Sequence, residues 1–324
     1  MKRLGRRRAT VLAGAALAGL SAPAVRAKST QPIFIIVPYG SGGSIDGIIR
    51  TVAQGMSEAL EQPVLVDNKP GGNGIIGSQV VARAAKDGLT LLAGGPGPLS
   101  LNVLLRKSLP YKIEDFASVA MLFSGPLTLT ISAELPPTDI NSFVSYAKER
   151  RKPLFYATLG PGSVTHLFGI LMGKAMGIAL TDVAYRNNPA AIMDMLGGQC
   201  DISFATPSAV MGHARDGKLR ILAVSTKDRV PQLPEVPSFA EAGYPSLVAS
   251  FWTGLLAPVG TPQEDIARLN AAANKAMQNP QLAKQLDVEA LQVSTGAPTL
   301  LDDQLAQDVA LWGPVIKSEN IALD

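Results

Sequence analysis

Ile33-Phe34-Ile35-Ile36-Val37-Pro38-Tyr39-Gly40-Ser41-Gly42-Gly43-Ser44-Ile45-Asp46 decides the fold class of this chain. A β-branched run over residues 32–37 stops at a proline and a glycine-rich turn. Residues 45–60 then carry Ile45, Ile48, Ile49, Val52, Met56 and Leu60 at helical spacing. Strand, glycine turn and helix in direct succession open an α/β unit. The pattern continues with a short strand at 64–67, closed by Asn68-Lys69-Pro70-Gly71-Gly72, a helix at 75–85 and a third strand at 89–93. This βαβαβ rhythm predicts parallel pairing with right-handed crossovers.

The rhythm restarts in mid-chain. Residues 119–123 and 127–131 read as strands, and 140–150 as a helix capped by Thr138-Asp139. Strand and helix then alternate over 155–157, 164–176, 181–184, 189–196 and 201–205, with further strands at 219–225 and 250–257. Helical stretches at 262–278 and 298–318 close the chain. One open sheet of so many strands would curl or split, so two α/β lobes are expected. No low-complexity linker separates them, and ordered strands are expected to cross between lobes near 123–132 and 248–256. The expected division is residues 28–124 with 252–324 as one discontinuous lobe and 125–251 as the other.

The first residues read as a removable leader. Lys2, Arg3, Arg6, Arg7 and Arg8 form a basic head, residues 9–21 are apolar, and Val25-Arg26-Ala27 offers a small-residue exit. Export through the general secretory or the twin-arginine route is expected, and with it a periplasmic location; Thr10-Val11 replace the usual Phe-Leu of the second route. The whole chain has 29 Lys+Arg and 26 Asp+Glu; six basic residues and no acid precede residue 28, leaving 23 basic against 26 acidic side chains. The chain beyond the leader is therefore weakly acidic and has no basic run, which argues against nucleic acid or an anionic membrane as partner. Cys200 is the sole cysteine and His166 and His213 the only histidines, so neither an internal disulfide nor a zinc site is expected.

Three turns have the physics of an anion site: a strand, glycines that aim backbone N–H groups at one point, and a helix N-terminus. The first is Tyr39-Gly40-Ser41-Gly42-Gly43-Ser44-Ile45-Asp46, where Ser44 or Asp46 could instead cap the helix. No Gly-Lys-Ser/Thr follows, and position 45 is Ile, so neither a phosphate-binding loop nor a dinucleotide fingerprint is present. The second, Gly160-Pro161-Gly162-Ser163-Val164-Thr165-His166, repeats the arrangement in the other lobe. One such turn is weak; one per lobe is what a cleft gripping an anion needs. His166 reads as a packed, hydrogen-bonded side chain before a catalytic base. The third, Tyr185-Arg186-Asn187-Asn188-Pro189, offers Arg186 for bidentate pairing with a carboxylate or for a salt bridge, while the asparagines tolerate positive φ and could simply shape the turn. Glu114-Asp115 looks like a helix start, Asp302-Asp303 a solvated first turn, and no carboxylates converge for catalysis.

These turns stand in an order that resembles the tripartite tricarboxylate transporter substrate-binding family, the Bug receptors. The resemblance runs from about residue 32 to 321. It includes Ile36-Val37-Pro38-Tyr39 with Gly42-Gly43-Ser44-Ile45-Asp46, then Asn68-Lys69-Pro70-Gly71-Gly72-Asn73-Gly74, and Gly160-x-Gly162-Ser163-x-x-His166-Leu167. Tyr185-Arg186 with Pro189-Ala190, Leu196-Gly197-Gly198-Gln199-x-Asp201 and Ala257-Pro258-x-Gly260-Thr261-Pro262 complete it. It implies a type II periplasmic-binding-protein-like fold with a ligand cleft between two lobes, and a small organic carboxylate as ligand: a di- or tricarboxylate, an acidic amino acid or an aromatic acid. It also implies a membrane permease as partner; a monomer with no cofactor and no metal is expected. Carried onto this chain, the ligand loops are Tyr39 to Asp46 and Gly160 to His166, partly through ordered water, with Tyr185 to Asn188 and Ala205, Thr206 and Pro207 as wall. Two departures fall in that pocket. Members often carry Ala-Pro or Pro where this chain has Gly40-Ser41, and the common Tyr-Arg/Lys-Gly becomes Tyr185-Arg186-Asn187.

Two other classes compete. A hydrolase or transferase would use Ser163 with His166, but Gly160-Pro161-Gly162-Ser163 lacks the second glycine of Gly-x-Ser-x-Gly at 165. A ligand-sensing module for a signalling partner would use the same closed form as a transport receptor.

Overall fold

Strand β1, Ile33–Val37, buries Ile33, Ile35, Ile36 and Val37, as a strand covered on both faces must. The computed structural model of the chain describes residues 31–42 and 44–323, so the leader expected at 1–27 lies outside the described residues, as does Gly43. After β1 come α1 (Ser44–Leu60), β2 (Val64–Asn68), α2 (Ile75–Ala82), β3 (Thr90–Gly94), α3 (Asn102–Leu105) and β4 (Phe116–Pro126). Then follow β5 (Thr128–Ser132), α4 (Ile140–Glu149), β6 (Leu154–Thr158), α5 (Val164–Met176), β7 (Leu180–Ala184) and α6 (Asn188–Leu196). The chain ends with β8 (Ile202–Ser203), α7 (Pro207–Arg215), β9 (Leu219–Val224), β10 (Ser250–Pro258), α8 (Gln263–Ala276), α9 (Pro280–Val288), β11 (Gln292–Val293) and α10 (Thr299–Ser318).

The strands form two sheets, ordered β11-β4-β10-β3-β1-β2 and β7-β6-β8-β5-β9. β1 pairs parallel with β2 and β3, and β6 pairs parallel with β7 and β8. β10 runs antiparallel between β3 and β4, and β5 antiparallel between β8 and β9. Only Leu127 separates β4 in the first sheet from β5 in the second, and β10 carries the chain back. Each sheet has its own core. In the first, Ile48, Ile49, Val52 and Met56 of α1 pack with Ile266, Leu269 and Ala273 of α8. Each of these Ile, Leu, Val and Met side chains contributes about 1.5–3 kcal/mol by leaving water. In the second, Phe143, Phe168, Phe204 and Phe239 surround Tyr156 and Leu129. α10 touches both: Leu301 is buried with Trp252 and Leu256 of the first sheet, Trp312 and Ile316 with the second core.

Several local expectations change. Glu114 and Asp115 end a short 3-10 turn and lead into β4, because the apolar run from Phe116 pairs with β10 rather than coiling. The strand expected at 201–205 shortens to Ile202–Ser203, since the chain leaves the sheet to enter α7. Asp302 is not merely solvated: it accepts a hydrogen bond from Ser118 Oγ at 2.6 Å. α3, α7, α9 and β11 add to the elements read from the sequence.

Candidate ligand-binding site

The glycine turns all leave the carboxyl ends of parallel strands: Tyr39–Gly42 after β1, Leu159–Ser163 after β6, Tyr185–Asn187 after β7 and Phe204–Thr206 after β8. In open α/β sheets this is the end at which ligands bind. A Cβ on Gly162 would lie 2.8 Å from Leu105 Cδ1 of α3 and 2.6 Å from Leu323 Cδ1 near the C-terminus.

In the first turn, Asp46 is the clamp. Its Oδ2 accepts the Gly42 N–H at 3.0 Å and Arg50 Nε at 3.1 Å, and its Oδ1 accepts Asn68 Nδ2 at 2.9 Å. Burial pushes the carboxyl pKa up, but the bonds from Gly42, Asn68 and Arg50 outweigh it and hold Asp46 below its ordinary value. The same Asn68 donates to Tyr39 O at 3.1 Å, so β2 fixes the far side of the turn. Gly42 has φ +85, and a Cβ on Gly40 or Gly42 would meet nothing within 4 Å, so these backbones border open space. Tyr39 is 41% exposed, yet its hydroxyl reaches the place where a Cβ on Gly97 would stand, and burial raises the phenol's pKa. Ser41 is exposed.

In the second turn the hydroxyls serve the loop. Ser163 Oγ donates to Gly160 O at 2.7 Å and accepts the His166 N–H at 3.3 Å, capping α5; Thr165 Oγ1 accepts the Leu159 N–H at 3.1 Å. His166 Nδ1 accepts the Gly162 N–H at 3.2 Å, and burial holds the imidazole below its ordinary pKa against the pull of Asp182. Ser163 bonds to Gly160, His166 N and Thr165 Oγ1, while the imidazole Nδ1 is taken by Gly162, so the hydroxyl is not primed as a nucleophile. Gly160 has φ +97 and faces open space. The first backbone N–H groups of α5, from Val164 and Thr165, remain as donors with no carbonyl partner inside the helix.

In the third turn, Asn187 Oδ1 caps α6 by accepting the Ala190 N–H at 3.0 Å, with Pro189 in the first helical turn. Its φ is −163, so it is extended and not left-handed; the cap rather than positive φ explains the asparagine. Arg186 is exposed and forms no salt bridge among the described residues. Tyr185 is half-buried, and burial raises its hydroxyl pKa. Ala205 and Pro207 are buried; Thr206 precedes α7 without capping it, its hydroxyl lying 3.2 Å from Ser208 Oγ.

Sequence reasoning passed over Asn73. Gly71, Gly72, Asn73 and Gly74 all have positive φ at the end of β2, and the Asn73 Nδ2 atom is buried without a hydrogen-bond partner among the described residues. Asn between glycines was the available signal. Two cavities of about 380 and 490 Å³ lie elsewhere, behind α5 at Gly173 and Lys174 and beside Ser132 and Lys218, and neither is lined by the turns. Among the described residues no cluster of His, Cys, Asp and Glu could hold a metal, and no helix is long and apolar enough to cross a membrane.

Two α/β lobes with glycine turns at the carboxyl ends of parallel strands define a two-lobed solute-binding fold. Residues 48–321 match the tripartite tricarboxylate transporter family receptor, and the chain belongs to that family. It is 33% identical over 311 residues to the protein BugT of Bordetella pertussis, covering 95% of each chain. Among solved structures, R. palustris Rpa4515 with adipate is 30% identical with a TM-score of 0.80, over 90% of this chain and 98% of that one. MatC (Rpa3494) from Rhodopseudomonas palustris with bound malate is 30% identical with a TM-score of 0.77, over 88% of this chain and 98% of that one.

Proposed function

We propose that this chain is an exported, periplasmic receptor that captures a small organic carboxylate between its lobes and presents it to a tripartite tricarboxylate-type permease. The observation that carries the reading is the placement of the Tyr39–Gly42 and Leu159–Ser163 turns, one per lobe, each bordering open space at Gly40, Gly42 or Gly160 and each leading into a helix N-terminus. Residues 28–124 with 252–324 make one lobe and 125–251 the other, with α10 spanning the hinge. The helix N-terminus behind each turn holds one carboxylate, in the second lobe through the Val164 and Thr165 N–H groups, while Asp46 and His166 occupy the Gly42 and Gly162 N–H groups and shape the loops. Arg186, exposed and without an ion pair, faces a second acidic group. The adipate and malate bound by the two R. palustris proteins support a small dicarboxylate as the class. Donors from both lobes favour the closed form, which the permease recognises.

Native mass spectrometry of the purified protein tests the reading, since a retained ligand reports its own mass. A thermal-shift panel of dicarboxylates, acidic amino acids and aromatic acids follows. A true ligand at a hundredfold excess over its Kd adds about 2.7 kcal/mol of stability. A bare mass together with no shift across the panel would sink the proposal.

A further inference from the structure

We propose that Glu289 is a positioning residue that latches the two lobes, with Asp287 as a second tie; its effect on affinity rests on the capture reading above. α9 belongs to the first lobe, where Leu282 and Leu286 are buried with α1 and α8. Its end reaches the other lobe twice. The Glu289 carboxylate accepts a hydrogen bond from Ser208 Oγ, in the first turn of α7. Asp287 Oδ1 accepts one from Gln232 Nε2 at 2.6 Å. In both, a carboxylate of one lobe meets a neutral donor of the other.

The end of α9 is built to hold this direction. Ala290 N–H bonds to Asp287 O at 3.0 Å and Leu291 N–H to Leu286 O at 2.8 Å, the double closure in which glycine usually takes the left-handed place. Here the residue is Ala290, with φ 54 and 3% exposed. A non-glycine residue there is strained, so packing on the first core must enforce the bend that turns Glu289 outward.

The receiving end is incomplete without it. Thr206 stands at the cap position of α7 but makes no capping bond, so the helix's own sequence supplies no negative group at its positive end. Glu289 brings that charge from the opposite lobe. Ser208 follows directly on Thr206 and Pro207, so the contact draws the wall after β8 toward the first lobe. The latch acts without ligand and biases the cleft toward closure, so ligand binding need supply less of the closing free energy.

The test measures the gap between lobes directly. Nitroxides placed by Glu58→Cys and Arg151→Cys, both exposed and one per lobe, report the interlobe distance by pulsed electron resonance; buried Cys200 is spared. Glu289→Ala and Ser208→Ala should each lengthen and broaden the distribution, the double variant should add nothing further, and Glu289→Gln, which keeps the acceptor but not the charge, should restore it in part. Adipate affinity in the alanine variants should fall about tenfold. Unchanged distances in both alanine variants would overturn the latch, whatever adipate does. If adipate and every other acid fail to bind while the distances lengthen, the capture reading fails and the latch stands.

Discussion

Gly162 donates its backbone N–H to Nδ1 of His166 at 3.2 Å, across the mouth of the second glycine turn. The bond requires an unprotonated Nδ1, and burial already holds the imidazole below its ordinary pKa of 6.5. The folded chain therefore takes up the His166 proton less readily than the unfolded chain. Its contribution is complete above pH 6.5 and is lost as pH falls through the lowered folded value. Melting temperature measured from pH 7.5 to 5 should drop more steeply in the wild type than in His166→Gln, whose amide oxygen can accept the same N–H. Parallel profiles would show that the imidazole carries no linkage.

Gly160 and Gly162 both have positive φ, +97 and +76, and different surroundings. Gly160→Ala meets no neighbour and bears only the strain of φ +97, about 1–2 kcal/mol. Gly162→Ala adds a collision with Leu105 and Leu323, where overpacking costs about 1–3 kcal/mol more and falls on the seam between lobes. Urea denaturation should therefore rank Gly162→Ala well below Gly160→Ala. Equal stabilities would mean that Leu105 and Leu323 yield freely.

Arg186 has no salt bridge to lose, so Arg186→Ala should leave ligand-free stability within about 0.5 kcal/mol. If it meets the far acid of the ligand, the same change should weaken a dicarboxylate by about 1.5–3 kcal/mol, tenfold or more in Kd. Arg186→Lys should recover only part of that, since an ammonium lacks the planar fork. Calorimetric titration with matched mono- and dicarboxylates separates the two ends. Equal loss for both classes would place Arg186 elsewhere.

What the sequence disclosed is what local chemistry governs. α5 runs over Val164–Met176, the span its periodicity predicts, because Ser163 caps one end and left-handed Gly177 stops the other. The parallel set β1, β2 and β3 follows from short strands alternating with helices. Strand direction in β4 and β10 was not legible, because an apolar run reads the same both ways. Asn279 and Pro280 at the head of α9 were visible signals of a helix start. The role of Asp46 was hidden, because its partner Asn68 lies 22 residues away and only the fold brings them together. The Ser208 and Glu289 pair, 81 residues apart and in different lobes, leaves no local trace.

Asp308 tests how α10 is anchored to the lobe built on the first sheet. It lies in α10, between Leu301 in one core and Trp312 in the other, and it is 4% exposed. Its Oδ2 accepts Ser100 Oγ at 2.6 Å and Trp252 Nε1 at 2.9 Å, and its Oδ1 accepts Gln304 Nε2 at 3.1 Å. Burial raises its pKa from 3.8, and the three donors pull against that without cancelling it. The folded chain thus binds this proton more tightly than the unfolded chain, so the cost of the buried charge fades as pH falls through the raised value. Relative to Asp308→Asn, the wild type should gain stability as pH is lowered from 7 toward 4, opposite in sign to the His166 effect. Asp308→Ala leaves the Ser100 and Trp252 donors buried and unpaired, at about 1–3 kcal/mol each, and should lower the melting temperature at every pH. A wild-type-minus-Asn difference that stays flat with pH would show that Asp308 keeps an ordinary pKa and that its three donors fully offset its burial.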